Sequence, residues 1–130
     1  MDLIPDTHIA IWALDDDHRL SNKARSFILD PDNDIYFSAI SFMEVVIKHL
    51  KNLDEMERTG SAFYKECLDS DYYNLPLKPK HAMLIDLIDS DKHKDPFDRA
   101  LSAQTKQKNM YLVTHDEKLR NYNEPCVVFV

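Results

Sequence analysis

Glycine is almost absent from this chain, which has one glycine, Gly60, in 130 residues. Glycine-rich loops let backbone N–H groups approach a phosphate closely. Both the dinucleotide-binding fingerprint and the P-loop need several glycines at fixed spacing. These two kinds of nucleotide site are therefore excluded.

Cysteines and long apolar runs are also scarce. The two cysteines, Cys67 and Cys126, lie far apart and match no metal-binding or redox spacing. We predict buried, reduced thiols, which suit a cytoplasmic protein. The first residues carry no basic segment, and no apolar run approaches the length of a membrane span. The sequence therefore predicts a cytoplasmic protein with no signal peptide and no membrane attachment.

Positive charge is in deficit, because the formal net charge is −7. A protein that grips nucleic acid through a simple basic surface has the opposite balance. Chemistry on a phosphate would then need positive charge from another source, such as a bound metal ion. The length predicts a single domain over residues 1–130.

Short strand patterns alternate with helical patterns along the chain, and this alternation favours a parallel sheet covered on both faces. Strands are predicted at Asp2–Pro5, Ile35–Ser38, Met110–Val113 and Cys126–Val130, the last fully buried because CVVFV is apolar throughout. Tyr72–Leu77 is predicted to be a short extended piece, broken by Pro76. Helices are predicted at Thr7–Leu14, Ser21–Leu29, Thr59–Ser70, Pro79–Ile88, Pro96–Lys108 and Asp116–Tyr122. A further helix is predicted to begin at Ser41, which is spaced to form a capping box with Glu44. The predicted architecture is a three-layer α/β/α sandwich with a central, mainly parallel sheet.

Acidic residues recur where the predicted strands end. Asp6 follows the first strand, Glu44 lies in the helix after the second, and Asp116 follows the Met110–Val113 strand. Asp98 lies at the start of the helix just before that strand. Ligands of such sheets bind outside the carboxyl ends of the strands. Clustered carboxylates repel one another, and Mg²⁺ or Mn²⁺ with oxygen ligands relieves that repulsion. Such ions activate water for attack on phosphorus.

Most of these acids also have a purely structural interpretation. Asp6, Asp95 and Asp116 stand where helices begin and are good N-caps. Glu44 is spaced to complete a capping box or to pair with Lys48 one turn later. Local reasoning leaves Asp6 open, favours capping for Asp95 and Asp116, and favours the structural pairing for Glu44. No single acid decides the question.

Four segments in order make the chain similar to a known family. They are DTHIAIWAL (6–14), SAISFMEVVIK (38–48), HKDPFDRALSAQ (93–104) and THD (114–116). Together they resemble the PIN-domain family and, within it, the VapC-type toxins of bacterial toxin–antitoxin pairs. HKDPFDRALSAQ is the most specific segment, being similar to a stretch of one VapC-like subgroup. The resemblance spans nearly the whole chain.

The resemblance implies a PIN fold and an endoribonuclease that depends on Mg²⁺ or Mn²⁺. It assigns the metal-binding and catalytic acids to Asp6, Glu44, Asp98 and Asp116. It places Thr7, Asp95, Arg99 and Thr114 around them, as supporting residues or substrate contacts. We expect Asp98 to face the metal while Asp95 mainly starts the helix. Arg99 is expected to pair with a nearby carboxylate or to face the substrate phosphate.

The resemblance also implies partners. They are an RNA substrate, a small antitoxin whose C-terminal segment wraps the site, and a second copy of the chain in a homodimer. Charge and position make Lys48, Lys51, Lys92, Lys94 and Arg99 candidate RNA contacts, with Tyr or Phe rings stacking on bases. His8 and His115 adjoin acids, but an oxygen-only ligand set suits Mg²⁺ better.

Other functions stay open at this point. The same fold can serve a scaffold protein that has lost its acids, or a nuclease directed at another nucleic acid. A phosphatase with a nucleophilic aspartate needs a second acid two residues on, and His8 occupies that position after Asp6.

Overall fold

Strands and helices alternate throughout the computed structural model, which describes residues 1–87, 95–120 and 126–130. The strands are β1 (Asp2–Pro5), β2 (Asp34–Ser38), β3 (Tyr73–Leu75), β4 (Tyr111–Thr114) and β5 (Val127–Phe129). The helices are α1 (Thr7–Leu14), α2 (Asn22–Leu29), α3 (Ala39–Lys51), α4 (Gly60–Asp69), α5 (Pro79–Ala82), α6 (Pro96–Lys108) and α7 (Glu117–Arg120), with a 3₁₀ turn at Ile85–Leu87.

The five strands form one parallel sheet in the order β3-β2-β1-β4-β5. Leu3 is paired with Ile35 on one side and Tyr111 on the other, so β1 is central. The chain builds outward from β1 to β3, and then crosses back to β4 and β5. The strand order therefore reverses between β1 and β4, and a crevice opens at the carboxyl edge at such a reversal.

Both faces of this sheet are buried. The neighbouring residues Leu3 and Ile4 point to opposite faces, and each has no solvent-exposed surface. Ile4 belongs to a core with Leu101 of α6, whereas Leu3 packs in a second core with Ile9 and Ala24 of α1 and α2. A third cluster joins α3 to α4 beside β2. The predicted three-layer α/β/α architecture with a parallel central sheet is confirmed.

Helix α3 begins earlier than predicted. Ser38, not Ser41, is its N-cap, because the last residue of β2 turns directly into the helix and the Ser38 hydroxyl accepts from Ile40 N at 3.0 Å. Ser41 lies inside the first turn and is buried. The capping box of Ser41 with Glu44 is therefore wrong, and Glu44 has other partners.

The helix predicted at Pro79–Ile88 is also wrong. The helix α5 ends at Ala82 and a 3₁₀ turn follows, while Ile88 lies outside the described residues. His81, not Ala82, is the buried residue of this segment, and its Nδ1 accepts from the backbone N of Lys78 at 3.1 Å. Leu84 and Ile85 still pack against the core that contains Ile4 and Leu101, whereas Met83 is exposed.

The C-terminal strand departs from its prediction in burial. The residues Val127–Phe129 are half-buried, because β5 is the edge strand and pairs with β4 alone. Cys126 is partly exposed, which corrects the expectation of two buried thiols; Cys67 is buried, and neither forms a disulfide. The helix predicted to reach Tyr122 is described to Arg120, and Tyr122 lies outside the described residues. Within the described residues, every helix is too short or too polar to cross a bilayer.

Candidate active site

A cleft of about 360 Å³ opens at the carboxyl edge of the sheet. Five acidic residues line it: Asp6, Glu44, Asp95, Asp98 and Asp116. They come from four separate segments of the chain, just after β1 and β4, in the middle of α3 and at the start of α6. The structure therefore brings together all four acids that the sequence singled out, together with Asp95.

Asp6 caps α1 and also faces the cleft. Its Oδ1 accepts from the backbone N of Ile9 at 2.9 Å, and its Oδ2 accepts from the hydroxyl of Thr114. Burial raises the pKa of Asp6, against the opposing effect of these two hydrogen bonds, and the negative charge of Glu44 raises it further. The two interpretations of Asp6 are thus compatible, since one carboxylate caps the helix and lines the cleft.

Glu44 is buried and is held by two side chains. Thr7 donates from its hydroxyl to Oε1 at 2.6 Å, and Lys48 donates from Nζ to Oε2 at 2.5 Å. The predicted pairing of Glu44 with Lys48 one turn later is therefore present. Thr7, which was expected to support the site, lies in contact with Glu44.

Lys48 places an ammonium group inside the acidic cleft. Partial burial lowers the pKa of Lys48, but the hydrogen bond to Glu44 and the charges of Glu44, Asp95 and Asp98 outweigh that effect and raise it. Lys48 is therefore charged at neutral pH and offsets part of the carboxylate repulsion.

The two aspartates of the HKDPFDRAL segment occupy different positions at the start of α6. Asp95 is the N-cap of α6, and its Oδ1 accepts from the backbone N of Phe97 at 2.8 Å and of Asp98 at 3.2 Å. Pro96 occupies the first helical position, where its missing N–H is not needed. Asp98 follows in the first turn and lines the same cleft. The expected capping role of Asp95 is present. His93 and the two lysines Lys92 and Lys94 lie outside the described residues.

Thr114 and Asp116 close the cleft on the β4 side. Thr114 is fully buried, donates to Asp6 and accepts from the backbone N of Asp116 at 3.1 Å. Asp116 in turn accepts from the backbone N of Lys118 at 2.9 Å and so starts α7. One threonine therefore connects the first and the last acid.

Arg99 is placed differently from the other predicted residues. Its Nη2 donates to the backbone carbonyl of Ile85 at 3.2 Å, and Arg99 is absent from the described residues that line the cleft. The side chain thus connects α6 to the 3₁₀ turn.

The donor chemistry of the cleft fits a hard divalent cation. Carboxylate oxygens are the ligands that Mg²⁺ and Mn²⁺ prefer, and burial together with the charge of Glu44 disfavours the ionised form of Asp6. Within residues 1–87, 95–120 and 126–130, however, no three His, Cys, Asp or Glu side chains already converge as a metal site. The acids share a cleft, where Thr7, Lys48, Thr114 and a backbone N–H group engage Glu44 and Asp6, and a cation would complete the set by drawing the carboxylates together.

Four cleft residues were not predicted as site residues, namely His8, Trp12, His115 and Lys118. His8, Trp12 and His115 line the cleft beside the acids. The sequence marks the histidines as possible metal ligands beside acids, and Trp12 as part of an apolar helix. Their placement beside one another follows from the pairing of β1 with β4, which local sequence patterns do not reveal.

Comparison with known proteins places the chain among PIN domains and VapBC structures. A family model described as "PIN domain" matches residues 3–125. No curated protein sequence matches the chain significantly. The chain is similar to the crystal structure of VapBC2 from Rickettsia felis bound to a DNA fragment from their promoter, with a TM-score of 0.71, 14% identity, and coverage of 99% of this chain and 98% of that one. It is also similar to VapBC-1 from nontypeable Haemophilus influenzae, with a TM-score of 0.67, 14% identity and the same coverage. At 14% sequence identity, these two similarities show only that the chain shares their fold.

Proposed function

Because this chain belongs to the PIN-domain family, we propose that it is a hydrolase that cleaves RNA internally with the help of Mg²⁺ or Mn²⁺. The observation that carries the proposal is the meeting of Asp6, Glu44, Asp98 and Asp116 in one cleft at the carboxyl edge of the sheet. A scaffold protein on the same fold has no need to keep four acids together. The likeness to VapBC structures supports the further proposal that the chain is the toxin of a toxin–antitoxin pair.

The four acids would hold the cation, and the fold fixes how each presents its oxygens. Thr114 and Ile9 N orient the carboxylate of Asp6, while Thr7 and Lys48 orient that of Glu44. The helix cap at Asp95 sets the backbone of Asp98. When bound, the cation supplies activation of water and neutralisation of the phosphate charge. These supports keep the acids in place before the cation and the RNA arrive.

The proposed substrate is RNA, although water as the nucleophile gives the 2′-hydroxyl no chemical role. Selection of RNA would then depend on shape and on contacts to unpaired bases. Lys48 and Lys118 are the lysines among the described lining residues. Lys51 is exposed at the end of α3 and is a candidate contact to the phosphate backbone outside the cleft.

We further propose a small antitoxin as partner in the cytoplasm, and a homodimer of this chain. An acidic cleft attracts a basic side chain, so an antitoxin segment that carries one would occupy the cation's position and block the site. The exposed apolar residues Met43, Leu50 and Leu53, on and just after α3, offer apolar contacts for such a segment or for the second copy.

The direct test is cleavage of labelled structured and unstructured RNAs by the purified protein. We expect cleavage with Mg²⁺ or Mn²⁺, none with EDTA, and none with Asp98→Asn. The matched control is Asp69→Asn, which removes the same charge from an exposed position on α4 and should leave cleavage unchanged. Absence of both cleavage and calorimetric metal binding would overturn the proposal in favour of a scaffold, and cleavage of DNA alone would reassign the substrate.

A further inference from the structure

Three rings lie next to one another in the acidic cleft, with planes inclined by 52° between His8 and Trp12 and by 66° between Trp12 and His115. Trp12 is the middle ring, with the His8 ring 6.1 Å away and the His115 ring 5.7 Å away between centroids. All three residues line the cleft that also contains the acids. We call His8, Trp12 and His115 the aromatic wall.

The wall is fixed from behind by neighbours outside the cleft lining. Arg19 places its guanidinium 5.1 Å from the centre of the Trp12 ring, and Asp17 holds that guanidinium through two hydrogen bonds of 3.1 and 2.8 Å. Phe129 stacks on His115 at 5.9 Å with an interplanar angle of 20°. The rings are therefore supported in position without a ligand, which reduces the entropy that binding has to overcome.

The wall is not simply part of the core. His8 and His115 are exposed and Trp12 is half-buried, whereas the core residues of the neighbouring β1 and β4 are fully buried. The two exposed rings also adjoin the acids in sequence, since His8 comes two residues after Asp6 and His115 directly precedes Asp116. A phosphate held at those acids would place the attached nucleotide beside these rings.

We propose that the aromatic wall is a stacking subsite for an unpaired nucleobase of the nucleotide that adjoins the cleaved phosphate. Flat faces of His, Trp and Phe are surfaces on which bases of single-stranded nucleic acid stack, with little preference for base identity. The inference rests on the proposed function and adds to it that the substrate presents an unstacked base at the cleaved bond. His8 and His115 act as positioning residues through their ring faces, not through proton transfer.

Trp12 provides a readout that does not depend on cleavage, because it is the chain's single tryptophan. The experiment titrates Asp98→Asn protein in Mg²⁺ with a short single-stranded oligoribonucleotide and follows Trp12 fluorescence. The matched ligand is a ribose-phosphate oligomer of the same length without bases, which carries the same charge. We expect quenching and tighter binding with the base-containing oligomer alone.

Variants of His115 separate stacking from other roles of the imidazole. His115→Ala should weaken binding of the base-containing oligomer roughly 10- to 100-fold, the range that loss of one stacked base gives, and leave the baseless oligomer unaffected. His115→Phe should restore binding, because it keeps the flat ring and lacks the nitrogens. Tyr111→Ala, at the opposite end of β4, is the control for loss of an exposed ring and should bind like the parent.

The outcomes distinguish this proposal from the nuclease proposal. Equal binding of the two oligomers, or failure of His115→Phe to restore binding, overturns the stacking subsite even if wild-type protein cleaves RNA. Base-dependent quenching of Asp98→Asn, when the wild-type protein neither cleaves RNA nor binds metal, supports a base-stacking surface and overturns the nuclease proposal. Base-dependent quenching together with cleavage supports both.

Discussion

The hydroxyl of Thr7 donates a 2.6 Å hydrogen bond to Oε1 of Glu44, and both side chains are buried. The bond joins the first residue of α1 to the middle of α3, across 37 residues of sequence. Lys48 holds the other oxygen of the same carboxylate. The uncharged hydroxyl of Thr7 thus helps to set the direction in which the Glu44 carboxylate faces the cleft.

Replacing Thr7 by valine should destabilise the protein and disturb the cleft. Valine keeps the shape but leaves the charged Glu44 without its buried donor, which costs about 1–3 kcal/mol of the free energy of unfolding. Urea denaturation measures this loss, and calorimetry should show weaker Mn²⁺ binding. Thr7→Ser retains the hydroxyl and is the control; equal effects of the two variants would show that the methyl group, not the hydrogen bond, matters.

The raised pKa of Asp6 predicts how stability without metal depends on pH. The folded chain holds the Asp6 proton to higher pH than the unfolded chain, whose aspartate has a pKa of 3.8. Stability from this group is therefore fully present below that value and is lost as pH rises through the folded pKa. In EDTA at neutral pH, the uncharged Asp6→Asn variant should melt a few degrees above the parent.

The gain in melting temperature of Asp6→Asn should shrink as the pH falls toward about 4, where Asp6 of the parent is also protonated. Thermal denaturation across this range checks the trend. A gain that stays constant with pH would attribute the effect to packing. With Mg²⁺ or Mn²⁺ added, the parent should be stabilised more than the variant, since the charged carboxylate is the better ligand.

Removal of the Lys48 ammonium should tighten metal binding. The ammonium forms an ion pair with Glu44 inside the cleft and competes electrostatically with an entering cation. We expect Lys48→Met to bind Mn²⁺ roughly tenfold more tightly, a difference of about 1.4 kcal/mol. Calorimetry measures the affinity. Lys51→Met removes an equal charge from an exposed position on the same helix and should change the affinity little. Weaker Mn²⁺ binding by Lys48→Met would mean that the orientation of Glu44 by Lys48 outweighs its competition with the cation.

The two cysteines should react very differently with a thiol reagent. Burial raises the pKa of the Cys67 thiol to about 12, and the negative charge of Glu66 adds to this effect. Cys126 is partly exposed. At about pH 8, iodoacetamide should modify Cys126 first and reach Cys67 only on unfolding, because the thiolate is the reactive form. Peptide mass mapping over time shows the order, and rapid native labelling of Cys67 would contradict its burial.

Local sequence patterns predicted the structure correctly where a single segment determines it. Asp95, Pro96 and Asp98 provide the cap, the first helical residue and a first-turn acid of α6, and the predicted bounds Pro96–Lys108 are confirmed. Pro5 was expected to end the first strand, and it is the last residue of β1. The acids were also placed correctly at one edge of the sheet, because parallel strands share a carboxyl edge whatever their order.

Contacts between distant segments decided the rest. Ser38 caps α3 and also donates to Oε1 of Gln104 at 2.5 Å, across 66 residues, so tertiary pairing favoured it over Ser41 as the helix start. The inward position of His81 likewise depends on Gln104, whose Nε2 lies 3.3 Å from its Nδ1. The aromatic wall required the pairing of β1 with β4. None of these pairings has a local periodicity from which it could be predicted.

The central place of β1 in the sheet has a consequence for the timing of synthesis. Asp6 receives its hydrogen bond from Thr114, a residue made 108 positions later, and the cleft also needs Asp116 beyond it. A ribosome that has not yet delivered β4 therefore carries a chain with no assembled cleft. A product that stops short of β4 would therefore lack the cleft that the proposed activity needs.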